Sequence, residues 1–380
     1  MAGQTQEALY SSIDMELSWS EAELPQAERT KHVHGMHPYL GKYVPQLVEV
    51  FLKRYFRPGQ RIYDPFVGSG TTLVEANVFG ADAVGCDISA FNCLLSRVKA
   101  SSYSLGALEL GLKAAFAEAR QAGPAPIDEA SDWLRSWYAP QALGELLRYD
   151  EVASERLDDP TRDVAKVILS RAARSARRTT HFDLDFPSAP TTAPYYCHKH
   201  KRTCRPVEEA GKFLSRYTLD TVRRIRAFSE VRTSSDVEVI HDDSRTVRLP
   251  DRADGIITSP PYPGLIDYHE QHRYSYQLLG LRDRQQEEIG AAAQGSTRRS
   301  LATYVEDMSA VFANAAVQLD RNAPIVIVVN DSRSLYPQIL TRAGLSLEDT
   351  ITRHVNRRTG RRAGEFFESI LISRVGTSAL

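Results

Sequence analysis

Residues 61–89, RIYDPFVGSGTTLVEANVFGADAVGCDIS, restrict this chain to few architectures. A short apolar strand ends at Asp64, a glycine-rich turn follows, a helical pattern begins near Thr71, and a second short strand ends at Asp87. Strand, turn, helix and strand in that order form a βαβ unit, which implies a parallel sheet covered by helices. Because the turn closes a strand and opens a helix, backbone N–H groups and small side chains meet where an anionic or polar ligand group binds. No Gly-Lys-Ser/Thr follows, so the turn is not a P-loop. Leu73 stands where a dinucleotide fingerprint needs its third glycine.

What remains is a tight turn preceded by one acid, Asp64, with a second, Asp87, at the next strand end, where a ribose diol sits. Two carboxylates beside such a turn suit S-adenosylmethionine. A purely structural turn in an unrelated α/β protein is the alternative.

The rest of the chain extends this unit. Residues 1–30 lack apolar periodicity and read as an N-terminal arm. In residues 39–60, Val48, Phe51, Leu52 and Tyr55 recur at helical spacing, and Pro58-Gly59 ends the pattern. Residues 31–103 form the first half of the α/β domain and 231–380 the second, with strands in VEVIHDDS, GIITSPPY, APIVIVVND and FESILISR. Between them, residues 104–230 carry helical patterns and read as an inserted, mainly helical subdomain. Residues 284–300, RQQEEIGAAAQGSTRRS, read as a mobile surface loop. No run approaches the roughly 20 apolar residues of a membrane helix, and four cysteines in 380 residues imply reduced thiols and a cytoplasmic setting.

The segment IITSPPYPG (256–264) ends a buried strand on a rigid corner. Such a corner suits methyl transfer to the exocyclic amine of a nucleobase. That amine is a poor nucleophile, because its lone pair is delocalised into the ring, and it needs acceptors for its hydrogens as the nitrogen pyramidalises. Ser259 Oγ and the Pro260 carbonyl are candidate acceptors. Proline fixes φ, and Pro261 restricts Pro260 further, so the carbonyl is aimed before substrate arrives. Tyr262 offers a flat surface for a base that has left its duplex.

Together, DPFVGSGTT and TSPPY resemble the cofactor and catalytic motifs of amino-directed DNA methyltransferases, and the Thr-Ser-Pro-Pro-Tyr form is most like the cytosine-N4 group. HPYLGKYVPQL (37–47) resembles the segment that lines the methionine end of the cofactor in that family, and Asp243 in IHDDS matches the position expected near the adenine. The resemblance implies a Rossmann-like methyltransferase fold, a mostly parallel sheet with helices on both faces. It implies S-adenosylmethionine as cofactor, with His37, Pro38, Tyr39, Asp64, Pro65, Phe66, Gly68, Ser69, Gly70, Thr71, Thr72, Asp87, Ile88, Asp243 and Ser244 around it. Asp64 is placed near the methionine amine and Asp87 near the ribose. Ser259, Pro260, Pro261 and Tyr262 form the catalytic corner. DNA is the implied partner, with a cognate restriction endonuclease in a restriction–modification setting. The insert precedes VEVIHDDS instead of the catalytic strand, so residues 265–303 compete with it as the sequence reader. No Pro-Cys pair occurs, which disfavours a 5-methylcytosine enzyme. Adenine-N6 or RNA-base methylation, and a catalytically silent DNA-binding subunit, remain as alternatives.

The formal net charge of −1 argues against indiscriminate polyanion binding, but the basic residues are clustered. Arg171, Arg174, Arg177 and Arg178 recur at helical spacing, and Arg357, Arg358, Arg361 and Arg362 sit between the last two strands. A phosphate-gripping face and a merely solvated one are equally open for each cluster. YYCHKHKRTC (195–204) places Cys197, His198, His200 and Cys204 close together. The spacing matches no standard zinc finger or knuckle, and the segment reads as a metal-free basic loop in which Lys199, Lys201 and Arg202 contact nucleic acid. Trp133, Trp137 and Tyr138 read as core.

Overall fold

A computed structural model describes residues 13–181, 187–295, 297–355 and 366–376. Its frame is the expected βαβ unit: β1 (Arg61–Asp64), helix α2 (Thr71–Phe79) and β2 (Asp82–Asp87), with β1 and β2 parallel. Helix α1 (Pro45–Tyr55) precedes it and starts on a proline, whose missing N–H costs nothing in a first helical turn. Val48, Phe51 and Leu52 are buried at the spacing the sequence shows, and Tyr55 is half-buried.

The remaining strands of the sheet are β5 (Val237–His241), β6 (Gly255–Thr258), β7 (Pro324–Val329), β8 (Leu345–Val355) and β9 (Phe366–Val375). They stand in the order β5-β2-β1-β6-β7-β9-β8, parallel except for β9, which is antiparallel to both its neighbours. From β1 the chain moves outward through β2 to β5, then returns to the other side of β1 with β6 and β7. The order therefore reverses between β1 and β6, and in open α/β sheets ligands bind outside the carboxyl ends of the strands at such a reversal.

Strand β7 shows why both faces are covered. Ile325, Ile327 and Val329 face one apolar cluster, with Phe312 of α10 (Arg298–Ala316) and Ile339 of α11 (Tyr336–Arg342). Val326 and Val328 face the other, with Phe51 of α1 and Leu73 of α2. A strand buried on both faces reads as the continuous aliphatic run seen in PIVIVV.

The insert is built on α3 (Ala90–Ala100). Its helices are α4 (Leu105–Ala122), α5 (Asp132–Trp137), α6 (Pro140–Arg156), α7 (Asp159–Ala176) and α8 (Gly211–Ser229), and α9 (Arg273–Leu279) follows after β6. Phe91, Leu95 and Val98 of α3 join Leu146, Tyr149 and Ile168 in one apolar cluster, so the insert shares a core with the α/β domain. Tyr138 is buried there, with Trp133 and Trp137 packed against the cluster. The segment read as a basic loop is an antiparallel hairpin, β3 (Tyr195–Cys197) and β4 (Arg202–Cys204).

Residues 284–300 are not a loose loop. Two 3₁₀ turns and the first residues of α10 occupy the segment, and Glu288, Ile289 and Ala291 are buried. Glu288 accepts from the Tyr268 N–H (2.9 Å) and meets His269 Nδ1 at 2.9 Å. Its charge is consumed internally, which a reading of composition as exposed polarity misses. Residues 13–30 are also tied down: Ile13 bridges Thr352, Leu17 is buried, and Arg353 donates to the Leu17 carbonyl. Arg357, Arg358, Arg361 and Arg362 lie outside the described residues. Among the described residues, no helix is long and apolar enough to cross a membrane.

Candidate active site

A cleft opens at the carboxyl ends of β1, β2, β5 and β6. Its floor is the glycine turn. Gly68 and Gly70 have φ of +48° and +77°, a region that L side chains rarely adopt. A Cβ on Gly68 would stand 3.1 Å from the Tyr39 hydroxyl, and one on Gly70 3.1 Å from Ser96 Cα. Helix α3 grips the turn from behind: Ser96 Oγ donates to the Gly68 carbonyl (2.9 Å) and the buried Lys99 ammonium to the Ser69 carbonyl (2.7 Å). Burial pushes Lys99 well below its ordinary pKa.

Asp87 lines the cleft and accepts from the Gly68 N–H (2.9 Å), the Ser89 N–H (2.9 Å) and Asn92 Nδ2 (3.2 Å). Burial raises its carboxyl against the pull of these donors. Asp243 also lines the cleft. Burial alone would raise its carboxyl, but the Arg245 guanidinium, 2.7 Å away, holds it below the usual range. Arg245 reaches on to Asp307 (2.7 Å), and Ser244 Oγ donates to the Pro65 carbonyl (2.6 Å), fixing the β5 end against the turn. Tyr39, Pro65, Phe66, Ser69, Thr71 and Ile88 complete the expected residues on the wall.

Five of the expected cofactor residues lie off the cleft wall: His37, Pro38, Asp64, Gly70 and Thr72. Asp64, expected at the cofactor amine, is buried behind the turn and accepts from Thr72 Oγ1 (2.6 Å), Thr258 Oγ1 (2.6 Å) and the Phe66 N–H (3.1 Å). Burial pushes its carboxyl up to about 6. Thr72 itself turns inward to Asp64 and the Ile257 carbonyl (3.1 Å). His37 is buried between Ser170 of α7 (3.0 Å) and the Pro38 carbonyl (2.7 Å), so it ties the HPY segment to the insert; Pro38 is exposed and Tyr39 alone of that trio lines the cleft. Gly70 supports the turn from beneath.

The Ser-Pro-Pro-Tyr corner follows β6, with Ser259 and Pro261 on the cleft wall and Pro260 buried. Tyr304 of α10 donates to the Pro261 carbonyl (2.9 Å). Tyr262 is half-buried, with its hydroxyl 3.5 Å from Glu368, which in turn binds Arg353 at 2.7 Å. The corner is thereby braced from α10, β8 and β9.

Sequence reasoning missed Asn92, Lys42, Tyr268, Glu287 and Glu288, all on the cleft wall. Tyr39 stacks on Tyr268 with ring centroids 5.5 Å apart. Lys42 is the single cation among the described residues of the wall; burial lowers it to about 8, and its ammonium donates to the His34 carbonyl (2.7 Å). Signals existed for some of these: Lys42 lies inside HPYLGKYVPQL, and Asn92 is in the first turn of the helix that follows Asp87.

The basic residues divide. Arg171 is paired with Asp220 (2.6 Å) and lies over the Tyr217 ring (4.2 Å), so its charge is engaged within the insert. Arg174 and Arg178 are half-buried, whereas Lys199, Lys201 and Arg202 are exposed on the hairpin.

A sheet of this order, with a glycine turn and strand-end acids around a cleft at its reversal, defines an S-adenosylmethionine-dependent methyltransferase of Rossmann-like fold. A family model described as DNA methylase matches residues 7–97. The chain is 36% identical to the Type II methyltransferase M.MjaII of Methanocaldococcus jannaschii over 96% of its own length and 84% of that protein. It is 25% identical to the Type II methyltransferase M.MvaI of Kocuria varians over 66% of this chain and 58% of that one. Among solved structures it is similar to TrmN from Thermus thermophilus, at 12% identity and TM-score 0.35, over 88% of this chain and 50% of that one. The chain belongs to the amino-directed DNA methyltransferase family.

Proposed function

We propose that this chain methylates the exocyclic N4 amine of cytosine in duplex DNA, with the target base flipped into the cleft beside Tyr262. The observation that carries this reading is that Ser259 and Pro261 line the same cleft as the glycine turn and Asp87. The residues fit the cofactor. Ser69 Oγ lies on the wall, buried and without a hydrogen-bond partner among the described residues. Asp87 is held as an acceptor for ribose hydroxyls, and Lys42 suits the cofactor carboxylate. Asp87, held by neutral donors, favours a ligand carrying positive charge.

S-adenosylmethionine supplies an electrophilic methyl group on sulfur. Ser259 accepts a hydrogen from the cytosine amine, turning the nitrogen lone pair out of the ring and toward that methyl. Tyr262 holds the base plane by stacking, and the prolines keep the acceptors in place before substrate binds. After transfer, the amine proton leaves to water or through Ser259. A hydroxyl residue at the head of the corner, where Asp or Asn is usual for adenine-N6 enzymes, supports cytosine. DNA from a methylation-free host expressing the chain, digested to nucleosides, should yield N4-methylcytosine by mass spectrometry; N6-methyladenine in its place would overturn the choice of base.

A further inference from the structure

The hairpin β3–β4 lies away from the cleft wall and gathers a set of side chains that methyl transfer does not use. In its register, Tyr195 opposes Cys204 and Cys197 opposes Arg202, so both thiols project from one face. They are the hairpin's buried positions, while Tyr196 on the opposite face is 60% exposed. The turn between the strands brings His200 back beneath that face: its N–H donates to the Cys197 carbonyl (3.2 Å), and Lys201 takes φ of +51°. His181, sixteen residues before Cys197, comes in from the chain that follows α7.

The four donor atoms all lie within 4.8 Å of one another. Cys197 Sγ is 3.5 Å from His181 Nδ1 and 3.6 Å from His200 Nδ1, and Cys204 Sγ is 3.5 Å from His200 Nδ1. A tetrahedron built with zinc–sulfur bonds of about 2.3 Å and zinc–nitrogen bonds of about 2.0–2.1 Å has a sulfur–nitrogen edge of about 3.6 Å. The observed separations match that edge. His198, which the sequence places among the donors, instead packs its ring edge-on against Tyr196 at 5.1 Å, on the outer side. Replacing His198 by His181 removes the difficulty of adjacent Cys-His ligands on one metal.

We propose that His181, Cys197, His200 and Cys204 bind one zinc ion that pins the hairpin to the end of α7. Two thiolates and two imidazoles in tetrahedral arrangement select zinc over the oxygen-seeking cations magnesium and calcium. Two thiolates also balance its charge. All four positions are filled by protein, and none of the four residues lines the cleft, so the site is structural. It answers a physical need: strands of three residues do not hold together as an isolated hairpin in water. The Tyr195 hydroxyl lies 2.9 Å from His181 Nδ1, the nitrogen that coordination would use. The zinc would also fix the direction in which Lys199, Lys201 and Arg202 are presented.

The test is metal content of the full chain, expressed with zinc and freed of loosely held metal, with cofactor binding by calorimetry as the check that each variant folds. One zinc per chain is expected, lost in Cys197→Ser and His181→Ala and kept in His198→Ala. Cobalt should replace it with the strong visible bands of a tetrahedral, thiolate-bound ion. A folded wild-type chain that takes up no zinc, or a His181→Ala variant that keeps its full content, overturns the proposal. If the variants do not fold, cobalt spectra of the wild type decide, and spectra without thiolate charge transfer overturn it.

Discussion

The Asp64 carboxylate, at the end of β1, accepts a 2.6 Å hydrogen bond from the Thr258 hydroxyl, at the end of β6. This bond crosses the reversal of the sheet and joins the strand that carries the glycine turn to the strand that carries the Ser-Pro-Pro-Tyr corner. Because Asp64 is buried, its carboxyl is pushed up to about 6. A carboxyl raised on folding holds its proton more tightly in the native state, so its contribution is full below the unfolded value near 3.8 and lost as pH rises through about 6. Asp64→Asn has no such slope. Wild-type Tm minus variant Tm should therefore rise between about pH 7.5 and about pH 5, by the equivalent of a few kcal/mol at most. A difference that stays level contradicts the buried-brace role.

Asp87 and the turn make a separable prediction. Asp87→Asn should weaken cofactor binding about 10- to 100-fold, the cost of a lost charge-assisted hydrogen bond, with turnover at saturating cofactor changed far less. Calorimetry and single-turnover rates distinguish the two. Equal losses in both would remove Asp87 from the ribose.

Lys42 predicts a pH effect of the same sense as Asp64, at higher pH and on cofactor binding. Its ammonium is charged below about 8 and neutral above it. Cofactor affinity should fall as pH rises through that value, by about tenfold, and the fall should be absent in Lys42→Met. A pH-independent wild-type affinity would take the cofactor carboxylate away from Lys42.

Much of this was legible in the sequence, for identifiable reasons. The βαβ unit and the run PIVIVV are local patterns, and α1 keeps its apolar spacing whatever its surroundings. Asp87 and Ser259 were readable because strand ends at a sheet reversal face the ligand. Asp64 was not: whether a strand-end carboxylate turns out to the cleft or back to Thr258 depends on a partner 194 residues away. His181 and Glu288 escaped for the same reason, since their roles arise from distant or irregular segments. Arg171 looked like a DNA contact because helical spacing fixes a shared face but not whether that face meets Asp220 or solvent.

The two classes of basic residue make a fourth prediction. Alanine at Lys199, Lys201 and Arg202 together should weaken DNA binding and flatten its dependence on salt, by about 0.9 in log–log slope for each phosphate that is no longer neutralised. Thermal stability should change little, because all three are exposed. Arg171→Ala should do the reverse, lowering Tm by removing the contacts with Asp220 and the Tyr217 ring. Unchanged salt dependence in the triple variant would move the DNA interface elsewhere.

Tyr262 bears most closely on base flipping. Tyr262→Ala should reduce single-turnover methylation about 5- to 100-fold, the worth of one base–aromatic stack, with cofactor affinity nearly unchanged. Parallel losses would make it part of the cofactor pocket instead.

The central claim is that Ser259, at the head of the corner, delivers a cytosine amine to the cofactor. Nucleoside mass spectrometry on DNA from a methylation-free host compares the wild-type chain with Ser259→Ala. N4-methylcytosine with the wild type and none above background with the variant is the expected result. N6-methyladenine, or N4-methylcytosine undiminished in the variant, would contradict the account.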